Sequence, residues 1–92
     1  MFKVSVDRFG DLTKGNFSMK FPNGYTVSLA MGNGMYSNAV YSNGNFSDGF
    51  TSVEAAAWDA DGNWVKLGDN DDVVGWVSTN DVLSIMNRVA AM

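Results

Sequence analysis

Carboxylates are the chemical resource of this chain. It has ten acids, of which Glu54 is the single glutamate, and it has no histidine and no cysteine. Those absences exclude Cys–His and Ser–His nucleophilic pairs, imidazole proton shuttles and the usual zinc sites. Asp59, Asp61 and Asn63 have the alternating spacing of a calcium loop. However, Gly62 falls at the fourth position instead of the sixth, and Asn70 stands at the twelfth, where a glutamate is needed. Solvated turn aspartates are therefore the better reading. Glycosidase chemistry needs two carboxylates at a set separation in a cleft. Here the acids fall in turn-forming stretches, and 92 residues leave little room for a cleft. The expectation is a non-enzymatic protein with no catalytic residue, no metal and no cofactor.

Binding chemistry is better represented. Trp58 and Trp64 flank Asp59-Ala60-Asp61-Gly62-Asn63, a tight-turn sequence. With Ala60-Asp61-Gly62 as the loop, the two indoles become cross-strand neighbours. Two roles are open for them. They cover a second core face or the helix, or they form an exposed anchor of the kind enriched at interface hot spots. Upstream, Gly32 to Phe50 is rich in Gly, Asn and Ser and carries Tyr36 and Tyr41. That composition resembles a paratope, although a tethered Gly-rich loop would look the same. The candidate partner-binding set is Trp58, Trp64, Tyr36, Tyr41, Asp59, Asp61, Asp69, Asp71 and Asp72.

The elements that must position these residues follow from periodicity. Phe2–Val6, Phe17–Phe21 and Tyr25–Met31 alternate apolar and polar residues, as half-buried strands do. Residues 7–15 read as a connection. Between the second and third runs, a three-residue loop Pro22-Asn23-Gly24 pairs Phe21 with Tyr25, Met19 with Val27 and Phe17 with Leu29. A two-residue loop would divide the apolar set between both faces, so the longer loop is favoured, with Gly24 in the left-handed position. The second hairpin joins Val53–Trp58 to Trp64–Leu67. It sets Ala57 against Val65, Ala55 against Leu67 and Ala56 beside Lys66, with Glu54 diagonal to Lys66. The small residues on one face call for a bulky element packed close, such as a helix. Nineteen residues is long for the loop 32–50, and a short strand at Ala39-Val40-Tyr41 would divide it. Val73–Val77 reads as a last short strand. Ser78 then caps a helix, with Asp81 three residues on and Val82, Leu83, Ile85, Met86, Val89 and Ala90 at helical spacing. Arg88 near its C-terminal end suits the helix dipole.

The expected fold is a single α+β domain: a twisted antiparallel sheet of about four to six strands built from hairpins, with the C-terminal helix packed on one face. Hydrophobic residues make up 46% and charged residues 17%, which argues against disorder. No apolar run approaches the ~18 residues of a membrane span. No secretory signal is evident at the start, so an intracellular setting is expected. Net charge is −4. Residues 1–47 set Lys3, Arg8, Lys14 and Lys20 against Asp7 and Asp11, while residues 48–92 set eight acids against Lys66 and Arg88. The acidic half would be drawn to a basic surface on another protein. A basic stripe for nucleic acid is missing. Lys3, Lys14 and Lys20 accompany Phe2, Phe17 and Phe21, but alternation puts Phe17 and Phe21 on one face and Lys20 on the other, which is ordinary amphipathicity.

Four strings resemble a group of small, uncharacterised proteins of tailed bacteriophages, in the same order. They are Asn16-Phe17-Ser18-Met19-Lys20-Phe21, Asn23-Gly24-Tyr25-Thr26-Val27-Ser28, Ala56-Ala57-Trp58-Asp59-Ala60-Asp61-Gly62-Asn63-Trp64 and Gly75-Trp76-Val77-Ser78. The family commonly has Gly-x-Gly-Asn-Tyr after the second of these; here Met35 replaces the Asn before Tyr36. The resemblance implies a phage origin and action in the cytoplasm of an infected bacterium, and carries no activity. The expected function is an accessory protein that binds and inhibits a host protein with a basic surface, a defence complex of the CRISPR type being the most concrete target. A structural or self-assembling role, including a homodimer on the Trp face, is the alternative. A small-ligand or single-strand-binding module is the second.

Overall fold

Two hairpins closed by the same turn organise the molecule. In a computed structural model, Phe21 N–H donates to Tyr25 O at 2.8 Å and Gly24 N–H to Phe21 O at 2.9 Å. Asp59 N–H donates to Asn63 O at 2.9 Å and Gly62 N–H to Asp59 O at 3.1 Å, the same pattern. Gly24 (φ 90°) and Gly62 (φ 85°) take the left-handed position that each three-residue loop requires. The structure describes the backbone of residues 1–9, 12–32, 38–41, 47–68 and 72–92, and the side chains of 1–6, 14–32, 50–68 and 72–92.

The strands are β1 (Phe2–Phe9), β2 (Leu12–Lys20), β3 (Thr26–Gly32), β4 (Asn38–Tyr41), β5 (Ser47–Trp58), β6 (Trp64–Val65) and β7 (Val73–Val77), followed by helix α1 (Thr79–Ala90). All pairings are antiparallel. The main path runs β1-β2-β3-β5-β4, and β6 and β7 also pair with β5. The fold is thus α+β, an antiparallel sheet with one C-terminal helix against it. Among the described residues no helix is long and apolar enough to cross a membrane.

The register of the first hairpin is as expected: Phe17 opposes Leu29 and Met19 opposes Val27. That ladder gives one apolar face. Val27, Leu29, Ala55 and Ala57 on it are buried, and α1 contacts β3 and β5 there through buried Val89. Ala55 and Ala57 carry no side chain beyond Cβ, so the helix can approach closely. Val82, Ile85 and Met86 pack around this core, whereas Leu83 and Ala90, expected in the same stripe, are exposed.

Three boundaries differ from the sequence reading. Residues 7–9 and 12–15, read as connection, belong to β1 and β2. The helix contacts β3 and β5, so burial imposes no strict alternation that far out. Likewise β5 begins at Ser47, inside the segment read as loop, because pairing with β4 recruits Ser47-Asp48-Gly49 despite their low strand propensity. Finally, β6 stops at Val65, and β7 takes over the edge of β5. Ala55 therefore opposes Val74 instead of Leu67, and Ala56 opposes Val73 instead of sitting beside Lys66. Between Val53↔Val77 and Ala55↔Val74 the register shifts, leaving Gly75 and Trp76 against Glu54 alone, a bulge.

The helix is held at both ends. Ser78 caps it, its Oγ accepting from Asp81 N–H at 3.3 Å, as the sequence indicated. At the other end the Asn23 side-chain amide donates to Val89 O at 2.9 Å, and to Ala90 O and Met92 O at 3.2 Å. Its Oδ1 accepts from Tyr25 N–H at 3.0 Å. One side chain therefore shapes the first turn and caps a helix 66 positions away. Arg88 adds a second tie, donating to Leu67 O at 3.2 Å.

Asn23→Ala should lower stability by about 1–3 kcal/mol, the cost of losing a shared turn and cap bond and leaving carbonyls unpaired. Amide exchange in the last turn of α1 should quicken more than in β2. An unchanged melt would show that the clasp contributes nothing.

Candidate functional site

Trp58 and Trp64 meet because the turn sets their Cα positions directly opposite. Their ring centroids are 5.6 Å apart at 75°, an edge-to-face pair, which contributes roughly 0.5–1.5 kcal/mol beyond burial. They lie on the face away from α1. Neighbouring Ala57 is buried under the helix, and successive strand residues point to opposite faces. Trp58 is half-buried and Trp64 is 56% exposed. The pair is therefore an exposed ledge and not a second core.

The ledge continues across the sheet. Trp64, Trp58, Thr26 and Lys20 are successive cross-strand partners. Lys3 and Ser18 form the next pair on the same face. Met1, Lys3, Ser18, Lys20, Thr26 and Trp58 surround a hollow of about 290 Å³. The Met1 ammonium donates to Lys20 O at 3.1 Å. An indole wall thus stands beside the Lys3 and Lys20 side chains. On the helix-free face Asn16 also donates to Ser28 Oγ at 2.8 Å, a polar tie between β2 and β3.

Of the residues expected at the site, Trp58, Trp64, Asp59 and Asp61 come together at one hairpin end. Asp72 is exposed just before β7. Tyr36, Asp69 and Asp71 lie outside the described residues, as does the side chain of Tyr41. The cations at the ledge were missed. Lys20 and Trp58 are 38 positions apart in sequence, and their shared face depends on the β3–β5 pairing, which local periodicity does not report.

Asp59 is occupied within the turn. Its Oδ1 accepts from Asp61 N–H and Asn63 N–H, both at 2.9 Å, and its Oδ2 from the Asn63 side-chain amide at 3.2 Å. The Asn63 backbone N–H does most to hold this carboxyl below its ordinary value. Desolvation, the next largest effect, opposes this, and the Asn63 side chain and the Asp61 and Gly62 N–H groups lower the value further. The calcium-like spacing is thus explained by an Asx-type turn. Among the described residues no three acids gather as a metal-binding set.

A second feature escaped the sequence reading. Trp76 in the β7 bulge has φ 52° and is 59% exposed. It lines a shallow recess with Leu67, Asp81 and Ser84. Left-handed backbone is strained for a bulky residue, at a cost of order 1–3 kcal/mol. The adjacent Gly75 was the available sign of a bulge.

No protein-family model matches this chain, and no match is found among curated proteins or solved structures.

Two outcomes follow. The folded pKa of Asp59 lies below its unfolded value, so its contribution to stability is fully present above the ordinary carboxylate range. It is lost as pH falls through the folded pKa. Asp59→Asn should flatten this acid limb in melts taken from neutral pH downward; an unaltered limb would show that other carboxylates carry it. At position 76, Gly should be more stable than Ala by about 1 kcal/mol, the reverse of the usual strand order. If Ala is the more stable, the left-handed backbone is wrong.

Proposed function

We propose that this chain is a non-enzymatic bacteriophage accessory protein that binds and inhibits a host bacterial protein, in the cytoplasm of the infected cell. The observation that carries the reading is the Trp58–Trp64 ledge, an indole pair on the helix-free face with Trp64 more than half exposed. Monomers rarely leave such surface to water without a use, and Trp is the residue most enriched at binding hot spots. The phage setting rests on the four ordered strings noted in the sequence. Asp61 is exposed at the same hairpin end and Asp72 is exposed just before β7, and negative charge there would favour a basic host surface such as a nucleic-acid channel of a defence complex.

A second reading is favoured by one arrangement. Lys3 and Lys20 beside Trp58 would suit an anionic ligand with an aromatic ring, a single-stranded nucleic acid included. The two readings differ in salt response. Oligonucleotide affinity would fall steeply with added salt through counterion release.

Trp64→Ala is the discriminating variant, since Trp58 is partly packed. Immobilised wild type should retain one dominant protein from bacterial lysate. Trp64→Ala should bind it roughly thirtyfold more weakly, the loss of a hot spot worth about 2 kcal/mol. The melting temperature of the variant should fall by no more than about 5 °C. Equal binding by the variant would remove the ledge from the site. Retention of oligonucleotide alone would favour the second reading.

A further inference from the structure

The outer edge of β1 offers an interaction that does not involve the Trp58–Trp64 pair. Strand β1 ends the main path of the sheet and, among the described residues, pairs with β2 alone. Its edge polarity follows from one pair. Met1 and Lys20 exchange both backbone bonds, Lys20 N–H to Met1 O at 2.9 Å and the Met1 ammonium to Lys20 O at 3.1 Å. In an antiparallel ladder such mutually bonded pairs alternate with unbonded ones. The ladder β1–β2 has no register shift, so Lys3 and Ser5 also face β2. The backbone N–H and C=O groups of Phe2, Val4 and Val6 therefore point outward.

These same three residues are the most conspicuous exposed aliphatic and aromatic groups of the sheet. Phe2 is 68% exposed, Val4 69% and Val6 60%, all on the face that α1 covers only over β3 and β5. Phe2 has an internal neighbour in Phe17, with ring centroids at 5.9 Å, and that leaves its other flank open. Protected edges carry prolines, bulges or inward charges. Residues 2–6 have no proline, no register shift and a single charge, Lys3.

We infer that β1 pairs antiparallel with β1 of a second copy, joining two sheets into one across a two-fold axis at Val4. The strand is self-complementary in that register. Val4 opposes Val4, Phe2 opposes Val6, and Lys3 opposes Ser5, so apolar residues meet apolar ones and no like charges meet. Sliding by two residues one way sets Lys3 against Lys3. Sliding the other way sets Lys3 against Asp7 and Val4 against Val6 but Phe2 against Arg8, and it puts Ser5 opposite Ser5, so that Ser5→Lys and Ser5→Asp would both weaken that pairing. Odd shifts would oppose outward-facing groups to inward-facing ones. The outward groups of Phe2, Val4 and Val6 then bond across the axis, and the flanks of their side chains leave water.

A short edge pairing falls below the ~1,200 Å² of stable interfaces, so the dimer forms at high protein concentration, and sedimentation equilibrium should span about 10 µM to 1 mM. Wild type should shift from monomer to dimer over this range, with concentration-dependent exchange protection of the Val4 and Val6 amides. Ser5→Lys places lysines opposite each other twice and should weaken the dimer roughly three- to tenfold. Ser5→Asp, opposite Lys3, should strengthen it. Val4→Pro removes an outward N–H that the monomer does not use and should abolish the dimer. A wild type that stays monomeric throughout overturns the proposal. So does a dimer in which Ser5→Lys and Ser5→Asp act in the same direction, or in which the Val4 amide gains no protection.

Discussion

The pairing of β3 with β5 is the constraint on which everything else depends. Thr26 opposes Trp58, Val27 opposes Ala57 and Leu29 opposes Ala55. This ladder joins two locally closed hairpins whose loops are otherwise independent. On one face it brings Val27 and Leu29 against the two buried alanines and makes the seat for α1. On the other it carries Lys20 and Thr26 up to the indole pair. A one-residue slip would expose Val27 and Leu29 and bury Ser28. The core and the candidate site are thus two consequences of one register.

That register is reinforced where the hairpin loops meet. A Cβ at Gly24 would lie 3.0 Å from Ala60 Cβ, so the first loop can carry no side chain there without displacing the second. The helix terminus arrives at the same end, where Asn23 binds its last carbonyls. Two loops and a helix end are locked together by small residues and one amide. The Asx-type turn at Asp59 stiffens the second loop from within. The ledge therefore stands at the most constrained corner of the molecule, which gives an exposed aromatic pair the preorganisation that binding needs.

How much of this was legible in the sequence depended on range. Both turns, both hairpin registers near the turns, the Trp58–Trp64 contact and the Ser78 cap were legible, because each is set within ten residues by alternation and loop chemistry. The Asn23 clasp was not, since its donors serve a helix formed from the other end of the chain. The β7 takeover of the β5 edge was also hidden. Val65 and Leu67 alternate well enough to extend β6, but Val74 competes for the same partner and brings Trp76 into its bulge. Alternation puts Lys20 on the polar face of β2, but only the β3–β5 pairing makes that the face of Trp58. The turn role of the aspartates was legible from the misplaced Gly62 and Asn70, but the way both Asp59 oxygens are taken up inside the loop was not.

The lopsided cover of the sheet has a geometric cause. A helix is about 10–12 Å across with its side chains, and strands are about 4.8 Å apart. One helix can therefore cover roughly two strands, and the main path has five. Seated over β3 and β5, α1 cannot also reach β1. Yet Phe2, Val4 and Val6 keep strict apolar alternation, as if that face were to be buried. A solvated edge strand would tolerate polar residues at all three positions at little cost to the core under α1. The pattern therefore belongs to an interaction made outside the helix-covered core. Its apolar side chains lie on the opposite face of the sheet from the Trp ledge, whereas Lys3 and Ser5 meet at the same edge on the ledge face.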